Sequence, residues 1–222
     1  MAHILIVSAT QFEIQPLLEK YSIIVTGEGL YEAMISETRS LSVLITGIGM
    51  VNTAFMIGKN SHRVYDAILN VGICGAFDHH LKVGQILHIT HDELSEMGAE
   101  NGDEFIKYKD LELPGTNMYH NNWIKRSKTI SELKTVRAIT VNKVHGNDQS
   151  IEYAKRMFGA DVESMEGAAF FAACKGLSNF TQIRAVSNYV EKRDKSKWDI
   201  PLAISHLNKK TLDILTELFD AY

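Results

Sequence analysis

Two short segments in the second half of the chain carry residue types that suit the binding of a sugar and a base. Residues 163–169 read Glu-Ser-Met-Glu-Gly-Ala-Ala, and residues 184–188 read Arg-Ala-Val-Ser-Asn. The first segment places the Glu166 carboxylate at the start of an alanine-rich helix, where small neighbours permit close approach and a carboxylate can accept two hydroxyl groups. The second places polar side chains at the end of an apolar strand. Together they predict a pocket for a sugar-linked base.

A third carboxylate and two glycine-containing segments also follow apolar stretches. Glu13 comes just after the first predicted strand, residues 46–52 (Thr-Gly-Ile-Gly-Met-Val-Asn) connect a strand to a helix, and residues 72–76 (Gly-Ile-Cys-Gly-Ala) are interpreted as a turn that ends another strand. Ligands of open α/β sheets gather beyond the carboxyl ends of the strands, so we expect both turns to face one site. The candidate binding residues in these turns are Gly47, Ile73, Cys74 and Gly75.

Each of these features also has an interpretation without chemistry. Glu13 can be a solvated helix residue that complements the helix N-terminus, and Glu163 can be a structural charge. Residues 46–52 lack the third glycine of a dinucleotide-binding turn, with Asn52 in its place, and no acidic residue follows at the required distance. The sequence therefore predicts no nicotinamide or other cofactor, and this segment is either a tight turn or a backbone wall against a ligand.

The histidines do not form a metal site by spacing. There are nine, but His79 and His80 form a loop pair, and His88 and His91 have the wrong parity to share one face of a strand. A zinc site needs three or four convergent ligands, which the sequence does not offer, so no metal is expected. No Gly-x-Ser-x-Gly segment occurs, which argues against a serine hydrolase.

Apolar runs rich in isoleucine and valine alternate with longer helical patterns. This alternation predicts one α/β domain over residues 1–222, with a central, mixed, mostly buried β-sheet flanked by helices. Asp148 is expected to cap a helix that ends before Gly159. Residues 91–137 have a weak pattern and are expected to form loops. The predicted strands are 3–8, 41–46, 65–71, 85–90, 138–143 and 181–186, and the predicted helices are 12–20, 51–59, 149–158, 166–175 and 200–219.

Composition excludes several classes of function. The 222 residues carry a formal charge of −4 and are 45% hydrophobic, with no run rich in lysine and arginine, so no nucleic-acid partner is expected. No apolar span has the length of a membrane helix, and the N-terminus is interpreted as a first strand rather than a signal peptide. Cys74 and Cys174 lie in apolar contexts and form no CxxC pair, which favours buried thiols in the cytoplasm.

The order and spacing of these motifs resemble the purine nucleoside phosphorylase and methylthioadenosine/S-adenosylhomocysteine nucleosidase superfamily over nearly the whole chain, and within it the futalosine hydrolases. The resemblance implies that superfamily's fold and hydrolysis of the purine–ribose bond of futalosine to hypoxanthine and dehypoxanthine futalosine, a step of menaquinone biosynthesis. The superfamily markers are Glu13 and residues 47–49, 72–76, 81–84 and 165–166, and the futalosine hydrolase markers are residues 163–169, 183–188 and 193–201.

The resemblance also implies partners and leaves alternatives. The implied partner is a small-molecule nucleoside, and related enzymes imply a homo-oligomer, a dimer or higher. One alternative is a nucleosidase for methylthioadenosine, S-adenosylhomocysteine or aminodeoxyfutalosine. Another is a catalytically inactive protein that binds or stores a nucleoside.

Roles for individual residues follow from the same resemblance. Glu13 is implied to activate water, Arg184 to fix the water or the carboxylates around it, and Asn188 to hydrogen-bond the departing purine at N7 and O6. Glu166 is implied to hold the 2′- and 3′-hydroxyls while Met165 packs on the sugar. Trp198 either closes the site or belongs to the core. The implied catalytic residues are Glu13, Asn188 and Arg184, and the implied binding residues are Gly47, Ile73, Cys74, Gly75, Met165, Glu166, Ser187 and Trp198.

Two positions differ from relatives in an informative way. Asn70 and Ile73 stand where phosphorylases of the superfamily place an arginine and a serine on phosphate, so the resemblance implies water as the nucleophile. Asn188 stands where adenine-specific nucleosidases carry aspartate. An amide can donate to N7 and a 6-oxo group, which favours hypoxanthine, although the same amide can also pair with adenine.

Overall fold

The computed structural model describes residues 2–123, 127–177 and 179–222, and it confirms a single α/β domain with a mixed central sheet flanked by helices. The strands are β1 (Ala2–Ser8), β2 (Ile24–Gly27), β3 (Leu30–Ser36), β4 (Arg39–Ile45), β5 (Ala67–Ala76), β6 (Ile86–Leu94), β7 (Gly98–Asn101), β8 (Glu104–Lys107), β9 (Met118–His120), β10 (Lys134–Thr140), β11 (Val162–Ser164) and β12 (Phe180–Tyr189). The α-helices are α1 (Gln11–Lys20), α2 (Met50–Lys59), α3 (Lys128–Glu132), α4 (Asp148–Phe158), α5 (Gly167–Ala173) and α6 (Ile200–Ala221).

The main sheet has the strand order β11-β10-β6-β12-β5-β1-β4-β3-β2. Strands β4, β1, β5 and β12 are parallel neighbours, so their carboxyl ends meet at one edge. Strand β11 pairs with β10 on one side and antiparallel with β5 on the other. These pairings close β5, β12, β6, β10 and β11 into a ring, with β11 beside the carboxyl end of β5.

Helices cover both faces of the sheet. Helix α2 packs against α5, whereas α1 and α3 pack against α6, which lies over β5 and β12. Alternate side chains of β1 enter opposite cores: Leu5 and Val7 join one cluster, and Ile4 and Ile6 join the other. This explains the continuous apolar run in the sequence, because a strand buried on both faces shows no polar alternation. No helix formed by the described residues combines the length and apolarity needed to cross a membrane.

One predicted turn is a strand. Residues 72–76 continue β5, because β12 pairs with them in parallel and β11 pairs with their end. The glycines in this stretch suggested a turn, but their missing side chains are explained by the close packing of side chains from neighbouring strands. Strand β10 begins and ends earlier than predicted.

The predicted loop over residues 91–137 is largely structured. It holds the end of β6, the β7–β8 hairpin, β9, α3 and the start of β10. The hairpin β2–β3 was also missed, since its residues are mostly exposed and lack a clear alternation. The cap predicted for Asp148 is supplied by Asn147, whose side chain accepts hydrogen bonds from the N–H groups of Gln149 and Ser150, while Gly159 ends the helix in the left-handed conformation as predicted.

Candidate active site

A cavity of about 490 Å³ opens where the carboxyl ends of the parallel strands meet. Residues of β5, β11 and β12 line it, together with residues of the segments that follow β1, β4, β10, β11 and β12. This is the position expected for a ligand site in an α/β sheet. Gly47 and Arg184 do not line this cavity. Nine of the predicted site residues do: Glu13, Ile73, Cys74, Gly75, Met165, Glu166, Ser187, Asn188 and Trp198.

Glu13 is held in place by the start of α1. Its Oε2 accepts hydrogen bonds from the N–H (3.0 Å) and the hydroxyl (2.8 Å) of Thr10, which forms a capping box. Its Oε1 accepts a hydrogen bond from the N–H of Ile73 at 3.1 Å. The side chain is buried rather than solvated. Burial is the main cause that raises the pKa of Glu13 above its ordinary value, which suits a group that must take up a proton.

Glu166 is the N-cap residue that immediately precedes α5, and the turn after β4 fixes its carboxylate. Its Oε1 accepts a hydrogen bond from the N–H of Gly49 at 3.0 Å. Gly49 has a φ of +97°, a conformation that side-chain-bearing residues rarely adopt, so a glycine is needed where this N–H points at the carboxylate. The turn therefore contributes the N–H of Gly49 and a lining residue, Ile48, to the site, whereas Gly47 does not line the cavity.

Arg184 is a buried cation that does not line the cavity, with only 1% of its surface exposed. Its Nη1 is 3.9 Å from Oε2 of Glu166, and its Nη2 donates a hydrogen bond to Oδ1 of Asn70. Its positive charge also acts to lower the pKa of Glu13. Arg184 does not line the cavity, so its guanidinium can balance the charge of the two carboxylates from outside the cavity wall.

Gly72 explains why this cluster can form. A Cβ atom at Gly72 would lie 2.2 Å from Nη1 of Arg184 and 3.0 Å from Oε1 of Glu13. The absence of a side chain at this position of β5 is therefore what admits the guanidinium next to the carboxylate.

A further buried carboxyl, Asp92, lies next to this cluster and was not predicted. Asp92 accepts hydrogen bonds from the hydroxyl of Thr140 (2.8 Å) and from Nε2 of Gln182 (3.2 Å). Burial raises the pKa of Asp92 to about 7. Thr140 in turn accepts a hydrogen bond from the N–H of Ala168 in the first turn of α5. The network thus ties the start of α5, and with it Glu166, to the sheet; Asp92 lies in the stretch expected to be loop, so no local pattern marked it.

Asn188 occupies the other end of the cavity with its amide orientation fixed. Its Oδ1 accepts a hydrogen bond from the hydroxyl of Ser187 at 2.8 Å, and its Nδ2 donates one to the carbonyl of Tyr189 at 2.9 Å. A carbonyl can only accept, so the amide nitrogen must face Tyr189. This bond uses one of the two amide hydrogens of Asn188, whereas the sequence suggested an amino group free to serve two acceptors.

Beside Asn188 lies a Glu–His pair whose histidine was not predicted. Glu163 is buried, and its two oxygens contact the N–H of His145 (3.0 Å) and Nδ1 of His145 (2.5 Å). Both residues line the cavity. His145 lies outside the helices and strands, so its significance emerges only once β11 brings Glu163 next to it. At the cavity edge, Trp198 lies under the guanidinium of Arg193, 5.0 Å from the ring centre.

The arrangement separates two chemical environments. One end has two carboxylates balanced by a buried cation, which suits hydroxyl binding and proton uptake. The other end has an amide donor and the Glu–His pair, which suits a polar heterocycle. Across the described ranges of the chain, no group of three His, Cys, Asp or Glu side chains is arranged to hold a metal ion.

Comparisons with known proteins agree with this geometry. The family model described as the phosphorylase superfamily matches residues 3–220. The chain is similar to a futalosine hydrolase from Thermus thermophilus, with 30% identity over 183 residues that cover 78% of this chain and 80% of that protein. Its fold is similar to a methylthioadenosine/S-adenosylhomocysteine nucleosidase from Neisseria meningitidis solved with methylthio-immucillin-A (TM-score 0.80, 19% identity, 97% of this chain and 99% of that one). It is also similar to a futalosine hydrolase mutant from Helicobacter pylori (TM-score 0.80, 16% identity, 100% of both chains).

Replacing Gly72 with alanine should destabilise the protein, because the added methyl group overlaps the Arg184 guanidinium. We expect the free energy of unfolding in urea to fall by about 1–3 kcal/mol. Gly58→Ala is the matched control: Gly58 is exposed in α2, and a methyl group added there would have no heavy atom within 4 Å, so this change should leave stability unchanged or raise it by up to about 1 kcal/mol. Equal stability of Gly72→Ala and the natural protein would show that the cluster tolerates a side chain there.

Proposed function

The chain belongs to the phosphorylase superfamily, and on that basis we propose that it is a nucleosidase that hydrolyses the purine–ribose bond of futalosine. The products are hypoxanthine and dehypoxanthine futalosine. In this proposal the hydrolysis is a step of menaquinone biosynthesis. The observation that carries the proposal is that Glu13, Glu166 and Asn188, distant in sequence, line one cavity. The similarity to the Thermus thermophilus protein supports futalosine as the substrate.

The chemistry assigns a separate task to each group. Glu166 accepts hydrogen bonds from the 2′- and 3′-hydroxyls, while Glu13 takes a proton from the water that attacks the anomeric carbon. The C–N bond breaks as positive charge develops on the ribose and negative charge on the purine. The carboxylates stabilise the first charge, and the free N–H of Asn188 stabilises the second.

Water rather than phosphate is the nucleophile in this proposal. Both polar ends of the Asn70 side chain are engaged, since its Nδ2 donates to the carbonyl of Val7 and its Oδ1 accepts from Arg184. The side chain of Ile73 is apolar and packs against the core. Neither position therefore offers a donor to a phosphate oxygen.

The most direct test is a substrate panel of futalosine, aminodeoxyfutalosine, methylthioadenosine, S-adenosylhomocysteine and inosine, each with and without phosphate. We expect hypoxanthine from futalosine with no dependence on phosphate. If the protein releases adenine from the 6-amino substrates faster than hypoxanthine from futalosine, it is an adenine nucleosidase instead. Tight binding without release of any base would indicate a storage protein.

Glu13→Gln should remove turnover while substrate still binds, because the amide cannot accept the proton from water. We expect kcat to fall by about 10²–10⁴-fold with a dissociation constant that changes little. Rapid-quench assays and isothermal titration calorimetry measure the two quantities. Glu19→Gln, at the exposed end of the same helix, is the control and should keep full activity. Full activity of Glu13→Gln would remove this residue from the mechanism.

The pH profile should show an acidic limb set by Glu13. The base must be ionised to act, and burial raises its pKa above 4.5, so kcat/KM should fall as the pH drops through a value above 4.5. The limb should persist in Asp92→Asn, because Asp92 does not line the cavity. A limb that disappears in Asp92→Asn would assign the titration to Asp92 instead.

We infer in addition that the protein works as a homo-oligomer, a dimer or higher. Four large apolar side chains near the cavity mouth and on the adjoining helix are exposed: Phe12 (66%), Ile48 (57%), Val51 (77%) and Phe55 (62%). Phe12 and Ile48 line the cavity itself. A second copy that covers this surface would bury it and complete the wall of the site.

Charges on this surface should dissociate the oligomer. In the double variant Val51→Glu/Phe55→Glu, we expect the dissociation constant to rise by at least about 100-fold, because a partner would have to bury two carboxylates. Analytical ultracentrifugation measures the change. Val64→Glu, an exposed valine in the loop after α2, is the control and should leave the assembly intact. A natural protein that sediments as a monomer at every concentration would contradict the inference.

The state of the cysteines supports a reducing compartment, and we place the protein in the cytoplasm. Cys74 and Cys174 are both free and buried, and burial raises the pKa of each thiol to about 12. A tagged protein recovered outside the cytoplasmic fraction would contradict this placement.

A further inference from the structure

The Glu163–His145 pair lines the cavity but has no part in the bond cleavage assigned to Glu13 and Glu166. Glu163 is 4% exposed and accepts one hydrogen bond at each oxygen, both from His145. A carboxylate has about four acceptor positions, so each oxygen keeps capacity for a further donor. A buried carboxylate in a ligand cavity is costly unless its acceptors are used, which points to a role with the ligand.

The sheet places Glu163 directly beside Asn188. In the ring of strands, Glu163 pairs with Gly75 from one side and Asn188 pairs with the same glycine from the other. A Cβ atom at Gly75 would lie 3.4 Å from Nδ2 of Asn188 and 3.7 Å from Cγ of Glu163. The amide of Asn188 and the carboxylate of Glu163 therefore flank Gly75 at the same position along β5.

Their order of donor and acceptor matches one class of purine. Along its edge a 6-oxopurine presents an acceptor at N7, an acceptor at O6 and a donor at N1–H. A 6-aminopurine presents an acceptor at N7, a donor at the 6-amino group and an acceptor at N1. Asn188 offers one N–H, which N7 and O6 can share, and Glu163 offers an acceptor next to it. A 6-aminopurine would place the N1 lone pair against the carboxylate.

We propose that Glu163 accepts the N1–H of the departing 6-oxopurine and, together with Asn188, selects it over a 6-aminopurine. This assignment rests on the proposed function and deepens it, because an amide alone can pair with either base. His145 is a positioning residue: its N–H and its ring hold the carboxylate with two hydrogen bonds. The ring of Phe77, 5.9 Å away edge to face, supports the ring of His145 in turn.

The substitution Glu163→Gln tests the selection, since it keeps the shape and places an amide donor where the acceptor stood. We expect kcat/KM for futalosine to fall by about 10²-fold and kcat/KM for aminodeoxyfutalosine to stay or rise, so that the ratio of the two changes by at least about 10². Circular dichroism checks the fold. Glu152→Gln, an exposed residue of α4, is the control and should leave both values unchanged.

Two results would overturn the assignment. An unchanged ratio in folded Glu163→Gln would show that the carboxylate does not read the base, and an equal loss for both substrates would assign it a structural role only. His145→Asn should lower the ratio by less than Glu163→Gln does, because the carboxylate remains but loses the ring contact. A ratio that His145→Asn leaves untouched would remove His145 from the positioning role.

Binding of free bases separates this assignment from the proposed function. Calorimetry with hypoxanthine, 1-methylhypoxanthine and adenine requires no turnover and no variant. We expect hypoxanthine to bind the natural protein at least about 10-fold more tightly than the other two. Equal binding of hypoxanthine and 1-methylhypoxanthine would refute the N1–H contact even if futalosine is cleaved. Selective binding of hypoxanthine without cleavage of futalosine would support the contact and refute the hydrolase.

Discussion

The site depends on one buried cation. Removing a guanidinium from water costs several kcal/mol, and a buried charge persists only where opposite charges and hydrogen-bond acceptors surround it. Arg184 meets this condition between two carboxylates and the side chain of Asn70. The position of the cation in β12 therefore determines where α1 must place Glu13 and where the N-terminus of α5 must place Glu166. It also explains why β5 carries a glycine at position 72.

The carboxylate oxygens of Glu13 and Glu166 make hydrogen bonds that link elements of the fold and that also position these groups in the site. Glu13 completes the capping box of α1, and its other oxygen accepts an N–H group from β5. Glu166 is the N-cap residue of α5 and accepts the N–H of Gly49 from the turn after β4. Each carboxylate is thus rigid before any ligand arrives, which lowers the cost of reorganisation in a reaction that develops charge. At Glu13 the helix-capping rule and the demands of the site favour the same residue type, whereas the Glu166 side chain makes no capping hydrogen bond to α5.

Residues whose position follows from local sequence could be predicted, whereas residues that depend on contacts between distant strands could not. Carboxylates and an amide at strand ends predicted one shared site, because parallel strands end at one edge. The stretch 72–76 was misread as a turn, since its glycines accommodate side chains from neighbouring elements rather than a chain reversal. His145 and Asp92 were missed for a related reason. Each interacts with residues on strands that are distant in sequence: His145 with Glu163, and Asp92 with Thr140 and Gln182. Local sequence patterns do not predict which distant strands become neighbours in the ring.

The two ends of the cavity handle charge in different ways, and the difference follows from residue chemistry. At the sugar end, ionised groups can exchange a proton with water. At the base end, Asn188 is a neutral amide that can donate a hydrogen bond but cannot transfer a proton. In the proposed reaction, the negative charge that leaves with the purine is therefore stabilised by the fixed dipole of the Asn188 amide. A 6-oxopurine spreads this charge onto O6 as well as the ring nitrogens, so in the proposed reaction the N–H that recognises the base also lies where its charge develops. Under that proposal, recognition and stabilisation of the leaving group are a single interaction.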